Sequence, residues 1–369
     1  MRVAFVLAAL QAGGAERVVA QLSAAMVARG WSVEIITFDR PGDPIYHRLD
    51  PRVVCTRLAL PSDGGGWRGA LRSARRIMAL RRVLRERQFD TVIAFLTKIN
   101  VLTLAAAWRM PTPVIVSERN NPLRQQASPI WNAMTAALYR RASRIVIMSE
   151  RSRRALPRAS RARAAIIPNP VSAGPFVPAP MARRFVAVGR LTHQKGFDLL
   201  IDAFAMVAPS LPEWKLVIYG DGPDRSVLEQ RCADRGLSDR IDLPGITEMP
   251  GSWIASSTIF ILSSRYEGWP NALAEALAAG VPSIAFDCDF GAGDMVIDEQ
   301  TGLLVPAEDV AALAAAMLRV ATDSALQRRL GSTARNKMVQ FGPERVNGGW
   351  YDIIPSAHDV PERESRARI

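Results

Sequence analysis

Ile259-Phe260-Ile261-Leu262-Ser263-Ser264-Arg265-Tyr266-Glu267-Gly268-Trp269-Pro270-Asn271-Ala272-Leu273-Ala274-Glu275-Ala276-Leu277-Ala278-Ala279-Gly280 is the run whose pattern decides the architecture. Its four apolar residues, Ile259–Leu262, are the length of a buried strand. Gly268 permits close backbone approach, and Pro270 suits the first turn of a helix over Pro270–Ala279. Strand, loop and helix in that order make half of a βαβ unit. A loop ending at a helix N-terminus presents backbone N–H groups and a positive dipole end, where a phosphate can sit. Seven residues separate Glu267, in the loop, from Glu275, in the helix. A carboxylate at Glu275 can accept two hydrogen bonds from vicinal hydroxyls such as those of ribose. A helix cap followed by a solvated glutamate has the same spacing.

Similar junctions occur elsewhere. Val186-Ala187-Val188-Gly189-Arg190-Leu191-Thr192-His193-Gln194-Lys195-Gly196-Phe197 again passes from strand through glycine to helix. Arg190 and Lys195 stand in that loop, either as cations for a diphosphate leaving group or as a solvated basic loop. In Tyr219-Gly220-Asp221-Gly222-Pro223-Asp224, Gly220 and Gly222 keep side chains away from a ligand or form an ordinary turn. Gly13-Gly14-Ala15-Glu16-Arg17 follows the first strand but lacks the spacing of a dinucleotide loop and an acidic residue placed for a ribose. It excludes an NAD site and leaves a tight turn near a substrate.

Apolar periodicity predicts strands over 2–10, 32–38, 91–95, 113–117 and 144–148, then 184–188, 215–219, 259–262 and 282–285. Helices are predicted over 15–29, 69–87, 100–108 and 129–140, then 197–208, 225–235, 270–279, 307–321 and 324–339. Two prolines in Pro168-Asn169-Pro170 break the chain there. Residues 1–168 carry 28 Lys/Arg against 10 Asp/Glu, while residues 169–369 carry 19 against 25. The pattern predicts two sequential doubly wound domains, 1–168 and 169–341, with ligands beyond the carboxyl ends of the strands where the domains face each other. The segment 342–369 is expected to return to the first domain with Trp350 as its anchor, ending in a frayed charged tail from Pro355.

Three scattered cysteines form no disulfide framework, and no His/Cys cluster has zinc spacing. Val3–Leu10 is preceded by one arginine and followed by Gly13-Gly14, so it is expected to be a first strand, not a signal peptide. These features imply a reduced, cytoplasmic protein. Asp287-Cys288-Asp289 looks like a metal-holding Asp-x-Asp, but it follows a strand beyond the glutamate pair and is read as a coincidental loop.

Gly189-Arg190…Lys195-Gly196, Gly220-Asp221-Gly222-Pro223, Glu267-(seven residues)-Glu275 and Thr301-Gly302-Leu303-Leu304-Val305, in this order, resemble glycosyltransferase family 4. That family has the GT-B fold, two Rossmann-like α/β domains facing each other across a cleft. Gly13–Arg17 and Ser117-Glu118-Arg119-Asn120-Asn121-Pro122 look like bacterial members that extend lipid-linked glycans, including N-acetylgalactosamine transferases. The resemblance implies an acceptor-binding first domain and a second domain that binds a nucleotide sugar, with UDP as the expected nucleotide.

It implies further that Arg190 and Lys195 grip the donor diphosphate, that Glu275 holds the ribose, and that Glu267 faces the donor sugar or its phosphate. The backbone at Gly189, Gly220, Gly222, Gly268, Trp269, Pro270, Asn271, Ala272 and Leu273 would line the donor, with Leu243-Pro244-Gly245-Ile246 against the base. Gly13, Gly14 and Glu118 would lie on the acceptor side, although a capping or ion-pair role suits Glu118 equally. Gly291-Ala292-Gly293 departs from the family's usual Gly-Pro. Retention of anomeric configuration and independence of metal complete the expectation, with no cofactor.

The stretch Trp67–Arg87 contains eight arginines. On a helix, Arg68, Arg72, Arg75 and Arg82 share one face, and Ile77, Leu80 and Leu84 the opposite one. This is a surface helix with a solvated basic face, or one that meets anionic lipid headgroups or an acceptor pyrophosphate. A second cluster, Arg151, Arg153, Arg154, Arg158, Arg161 and Arg163, favours a peripheral enzyme on the inner face of a membrane, acting on a lipid-linked saccharide. An epimerase of the same fold and a basic nucleic-acid-binding protein are the rival readings. Against the latter, the arginines lack interleaved aromatics, so no nucleic-acid partner is expected.

Overall fold

The structure is a computed structural model. It describes every residue except 12, 62–65, 120–128, 173, 248 and 356–369, and the side chains at 66–68 and 129–130 lie outside the description as well. The chain divides into two compact units, Met1–Pro168 with the segment from Val346, and Asn169–Arg345.

The first unit is built on β1 (Arg2–Leu7), β2 (Ser32–Thr37), β3 (Val54–Arg57), β4 (Thr91–Phe95), β5 (Val114–Ser117), β6 (Arg144–Ile147) and β7 (Ala164–Ile166). They form one parallel sheet in the order β3-β2-β1-β4-β5-β6-β7. Helices α1 (Gly14–Ala28), α2 (Gly66–Arg87), α3 (Thr97–Ala106), α4 (Pro129–Leu138), α5 (Glu150–Ala155) and α6 (Arg158–Arg161) connect the strands. Successive side chains of a strand point to opposite faces, and β1 shows the consequence. Ala4 and Val6 enter a core with Leu80 and Leu84 of α2. Val3, Phe5 and Leu7 enter another with Leu22 and Met26 of α1. A strand buried on both faces must be apolar throughout, which is why β1 and β4 were legible as continuous runs.

The second unit carries β8 (Arg184–Val188), β9 (Lys215–Tyr219), β10 (Ile241–Gly245), β11 (Ile259–Leu262), β12 (Ser283–Asp287) and β13 (Leu303–Pro306). Their order is β10-β9-β8-β11-β12-β13, again all parallel. Helices α7 (Phe197–Val207), α8 (Arg225–Asp234), α9 (Asn271–Ala279), α10 (Ala292–Met295), α11 (Val310–Thr322) and α12 (Ser324–Met338) belong to it. Chain progression reverses between β8 and β11, the switch point at which doubly wound sheets open a crevice.

Helix α13 (Pro343–Ile353) brings the chain back, and the first unit resumes within it at Val346. Trp350 is fully buried in the core of Val3, Phe5 and Phe95 and lies 5.8 Å from the Phe95 ring. A side chain of that size, so buried, stabilises by roughly 3 kcal/mol. Of the tail, only Pro355 lies among the described residues.

Four strands have no counterpart in the sequence expectation: β3, β7, β10 and β13. All are sheet edges. An edge strand is half exposed, so its sequence lacks the continuous apolar run that marks an interior strand. β10 even contains Pro244, which an edge tolerates. The expected strand 2–10 ends at Leu7, and helix α9 begins one residue after Pro270, which caps it.

Candidate functional site

At the switch point of the second unit, the loops after β8 and β11 meet. The chain leaves β8 through Gly189 and Arg190, makes a single 3-10 turn at His193–Lys195, and enters α7 through Gly196. Gly196 has φ +62, and a Cβ there would stand 2.1 Å from the Ser263 carbonyl oxygen. Backbone conformation and crowding both require glycine. A Cβ at Gly189 would press on the Lys195 stem at 3.1 Å. Lys195 therefore lies over a residue without a side chain.

From there its Nζ reaches Glu267 Oε1 at 2.6 Å. Ser264 Oγ donates to the same oxygen at 2.7 Å. The Lys195 side chain is 21% exposed and that of Glu267 only 6%. The pair is thus a shielded carboxylate with a cation at the rim. Arg190 is exposed, and among the described residues its guanidinium has no ion-pair partner. One cation is held by a buried carboxylate and the other extends to solvent.

Glu267 is followed by Gly268, Trp269 and Pro270, and then α9 begins with Asn271, Ala272 and Leu273. The first-turn N–H groups of a helix have no acceptor within the helix, and anions are stabilised beside them. Glu275, the fifth residue of α9, is buried. The Trp269 indole is buried against Phe341, with ring centroids 5.5 Å apart, so this residue offers its backbone to the loop while its side chain packs inward. Asn271 Oδ1 accepts a hydrogen bond from Asn169 Nδ2 at 2.8 Å, tying the start of α9 to the interdomain proline segment.

Gly220 and Gly222 each stand where a side chain would collide with the neighbouring loop. A Cβ at Gly220, whose φ is +138, would fall 1.9 Å from the Gly189 carbonyl oxygen. One at Gly222 would fall 2.3 Å from that of Leu191. The loop after β9 therefore packs directly on the loop after β8. Ile246, just past β10, is 71% exposed. Gly291 packs on Pro270, where a Cβ would meet Cδ at 2.3 Å. Asp287 ends β12, and Cys288 beside it is buried, its thiol pushed up to about 12 by burial and by the nearby Glu267 carboxylate. Among the described residues no group of three or more His, Cys, Asp or Glu side chains could hold a metal ion.

In the first unit, the corresponding strand ends carry a different arrangement. Glu118 follows β5 directly and is buried. Its carboxylate accepts from Thr97 Oγ1 at 2.8 Å, from Asn100 Nδ2 at 3.2 Å and from the Tyr139 hydroxyl. Burial and the adjacent carboxylate raise the Tyr139 phenol well above its usual range. Leu96, at the entry to α3, holds φ +74, a strained value for a residue with a side chain. Arg119 is buried between Phe95 and Trp350, 5.5 Å from each ring, and burial pulls its guanidinium down to about 9. Asn120, Asn121 and Pro122 lie outside the described residues. Gly14 opens α1, while Gly13 accepts from Arg17 N–H at 3.1 Å and lies 3.1 Å from His47 Nε2 through its carbonyl oxygen.

The arginines of α2 separate into two sets. Arg76 donates to the Leu60 carbonyl at 2.7 Å, Arg81 to those of Ala106 and Trp108, and Arg87 to Glu34, so these three turn inward. Arg72, Arg75, Arg82 and Arg85 are exposed, and Arg82 pairs with Glu86 at 2.8 Å. Leu71 (55% exposed) and Met78 (62%) share the outer stripe with Arg75, Arg82 and Arg85, at helical spacing. The Arg68 side chain lies outside the description. Among the described residues, no helix is long and apolar enough to cross a membrane.

Several participants were not singled out by sequence: Asn169, Gln194, Asp198, Ser264, Arg265 and Glu308. Except for Ser264, which bonds Glu267 three residues on, their partners lie far away along the chain, so no local spacing signals them.

Comparison with known proteins shows the family and the fold. Residues 13–170 match the model of the glycosyl transferase 4-like domain, and residues 177–337 match that of glycosyl transferases group 1. Between them they span nearly all of both units. An exopolysaccharide phosphotransferase of Streptomyces coelicolor is 32% identical over 84% of this chain, which spans only 33% of that protein. A Campylobacter jejuni enzyme, GalNAc-α-(1→4)-GalNAc-α-(1→3)-diNAcBac-PP-undecaprenol α-1,4-N-acetyl-D-galactosaminyltransferase, is 27% identical over 96% of this chain and 98% of its own. Among solved structures, sucrose-phosphate synthase from Thermosynechococcus elongatus superposes with a TM-score of 0.83 at 22% identity, covering 95% of this chain and 98% of that one. Anabaena HepE in complex with UDP gives 0.78 at 18%, covering 95% and 99%. The sheets and these likenesses establish the GT-B fold.

Proposed function

This chain belongs to glycosyltransferase family 4, and from that premise we propose that it is a retaining transferase that moves a hexose or N-acetylhexosamine from a UDP-sugar to a lipid-linked saccharide. The observation that carries the reading is the Lys195–Glu267 pair, set beside the start of α9 at the switch point of the second unit. The second unit is then the donor domain and the first the acceptor domain.

In this reaction Lys195, Arg190 and the N–H groups of Asn271 to Leu273 receive the charge that grows on the departing diphosphate. Such preorganised donors supply several kcal/mol, on the order of 3 for each one. Glu275 accepts from the ribose hydroxyls. Glu267 orients Lys195 through Oε1 and turns its other oxygen to the donor sugar. As the sugar gains oxocarbenium character, the acceptor hydroxyl attacks from the face that the diphosphate leaves, and the leaving phosphate takes its proton. The cations do the work that a divalent ion does in other transferases, so rates in EDTA and in magnesium are expected to be equal. A rate lost to EDTA and restored by magnesium would overturn this part.

The outer stripe of α2 supports an anionic membrane surface as the place of work, on the inner face of the cell membrane, where lipid-linked acceptors of the kind in the Campylobacter enzyme's name would be met. Each arginine near such a surface contributes about 1 kcal/mol, and the attraction fades with salt. Neutralising Arg72, Arg75 and Arg82 together is expected to release the protein from anionic vesicles; unchanged binding would count against it. The deciding experiment for the whole function is a panel of nucleotide sugars incubated with polyprenyl-diphosphate saccharides and read by mass spectrometry. Mass gain of one sugar from a UDP donor is the expected result. No transfer from any donor would refute the proposal.

A further inference from the structure

The 3-10 turn that carries Lys195 has little of its own to hold it. Its internal backbone bonds are Lys195 N–H to Thr192 at 2.9 Å and Gly196 N–H to His193 at 3.3 Å. Such short turns have poor hydrogen-bond geometry, and surrounding contacts decide their shape. Here the contacts come from the loop after β11. Arg265 donates from its guanidinium to the His193 carbonyl at 2.8 Å and from its backbone to the Gln194 carbonyl at 2.8 Å. Ser263 Oγ donates to the Lys195 carbonyl at 2.9 Å, and Gln194 Nε2 returns a bond to the Tyr266 carbonyl at 3.0 Å. Each residue of the turn is therefore bonded to Ser263–Tyr266.

Arg265 is the principal tether. Beyond His193 it grips Asp198, at the start of α7, through two parallel bonds of 2.8 and 2.7 Å, and Glu308 at 3.0 Å. Its side chain is 10% exposed. Four of its five guanidinium N–H groups are engaged in this way. It has what a positioning group needs: a rigid planar fork, two carboxylates that hold it, and one carbonyl on the turn that it holds in place.

We propose that Arg265 is a positioning residue for donor capture. It locks the β8–α7 turn to the loop after β11, so that Lys195 is already aimed when the diphosphate arrives. This rests on the proposal that Lys195 binds the donor phosphates. A displacement of about 1 Å in such a group can cost on the order of a hundredfold in rate, which is why the tether matters.

The test is a double-mutant cycle on the full chain, with UDP affinity measured by calorimetry and donor KM and kcat measured separately. Arg265→Gln is expected to weaken UDP binding about tenfold. In a Lys195→Met background the same change is expected to shift affinity by less than about twofold, because the group it positions is gone. Arg265→Lys, which keeps the charge and loses the fork, is expected to fall between. Equal losses in both backgrounds would overturn the inference, as would unchanged affinity for Arg265→Gln beside a weakened Lys195→Met. If Arg265→Gln does not fold, judged by thermal unfolding, Asp198→Asn, which releases the other end of the fork, takes its place in the cycle with the same expected and overturning results. Should the wild-type chain bind none of UDP, GDP or ADP, the donor-site reading and this inference would both fall. Binding lost with Lys195→Met but insensitive to Arg265 would remove the inference alone.

Discussion

Two buried glutamates follow strand ends in the two units, and their surroundings differ in kind. Glu118, after β5, accepts hydrogen bonds from Thr97, Asn100 and Tyr139 among the described residues. Glu267, after β11, is satisfied by the Lys195 ammonium and the Ser264 hydroxyl. A carboxylate paired with a cation at the rim is exchangeable. Under the proposed function, an arriving diphosphate shares the cation without leaving a bare charge in the interior. Burial and hydrogen bonding are common to both acids; the partly exposed cation on Glu267 is the difference that the following variants test.

The largest effect expected from this contrast is on the exchangeable side. Lys195→Met should lower kcat/KM for transfer by about a hundredfold or more, the usual loss for one preorganised donor to a leaving group. Glu118→Gln, measured in parallel, should act on stability first; an equal loss of kcat at unchanged stability would break the comparison. Next comes Glu275→Ala, expected to weaken UDP binding roughly ten- to a hundredfold, as befits the loss of hydrogen bonds to a charged acceptor. Vesicle binding should not change in that variant, and if both fall together the donor and membrane faces are not separate.

The smallest effect tests the hydrogen bonds on Glu118. Tyr139→Phe should cost about 1–3 kcal/mol of stability, read from the denaturant midpoint, by leaving Glu118 one donor short. The pH dependence follows from the raised phenol. An unfolded tyrosine ionises near its ordinary value of 10.0, whereas the folded one resists ionisation. Stability from this group is thus complete below about pH 10 and is lost as pH rises beyond it. Tyr139→Phe should flatten that alkaline decline, and an unaltered slope would show that Tyr139 does not carry it.

Much of the proposed donor site can be read from sequence because its residues are set close together along the chain. Gly189, Arg190 and Lys195 lie within one strand-to-helix junction, and Glu267 and Glu275 within another. What could not be read was how the junctions meet. Arg265 sits inside the stretch that announced the fold, yet Asp198 is 67 residues away. Likewise the eight arginines of α2 look alike in sequence, although Arg76, Arg81 and Arg87 turn to carbonyls and Glu34, and Arg72, Arg75 and Arg85 face solvent.

The amino-acid sequence by itself determined the interior strands, the loop–helix junctions beside them and the division at Pro168-Asn169-Pro170, because burial on both faces and proline geometry are written locally in residue type. Only the tertiary structure decided the edge strands β3, β7, β10 and β13, the packing of Gly220 and Gly222 on a neighbouring loop, and the partners of Glu118 and Glu267. Each of these depends on a surface supplied by residues remote in the chain, and no local pattern encodes which surface that is.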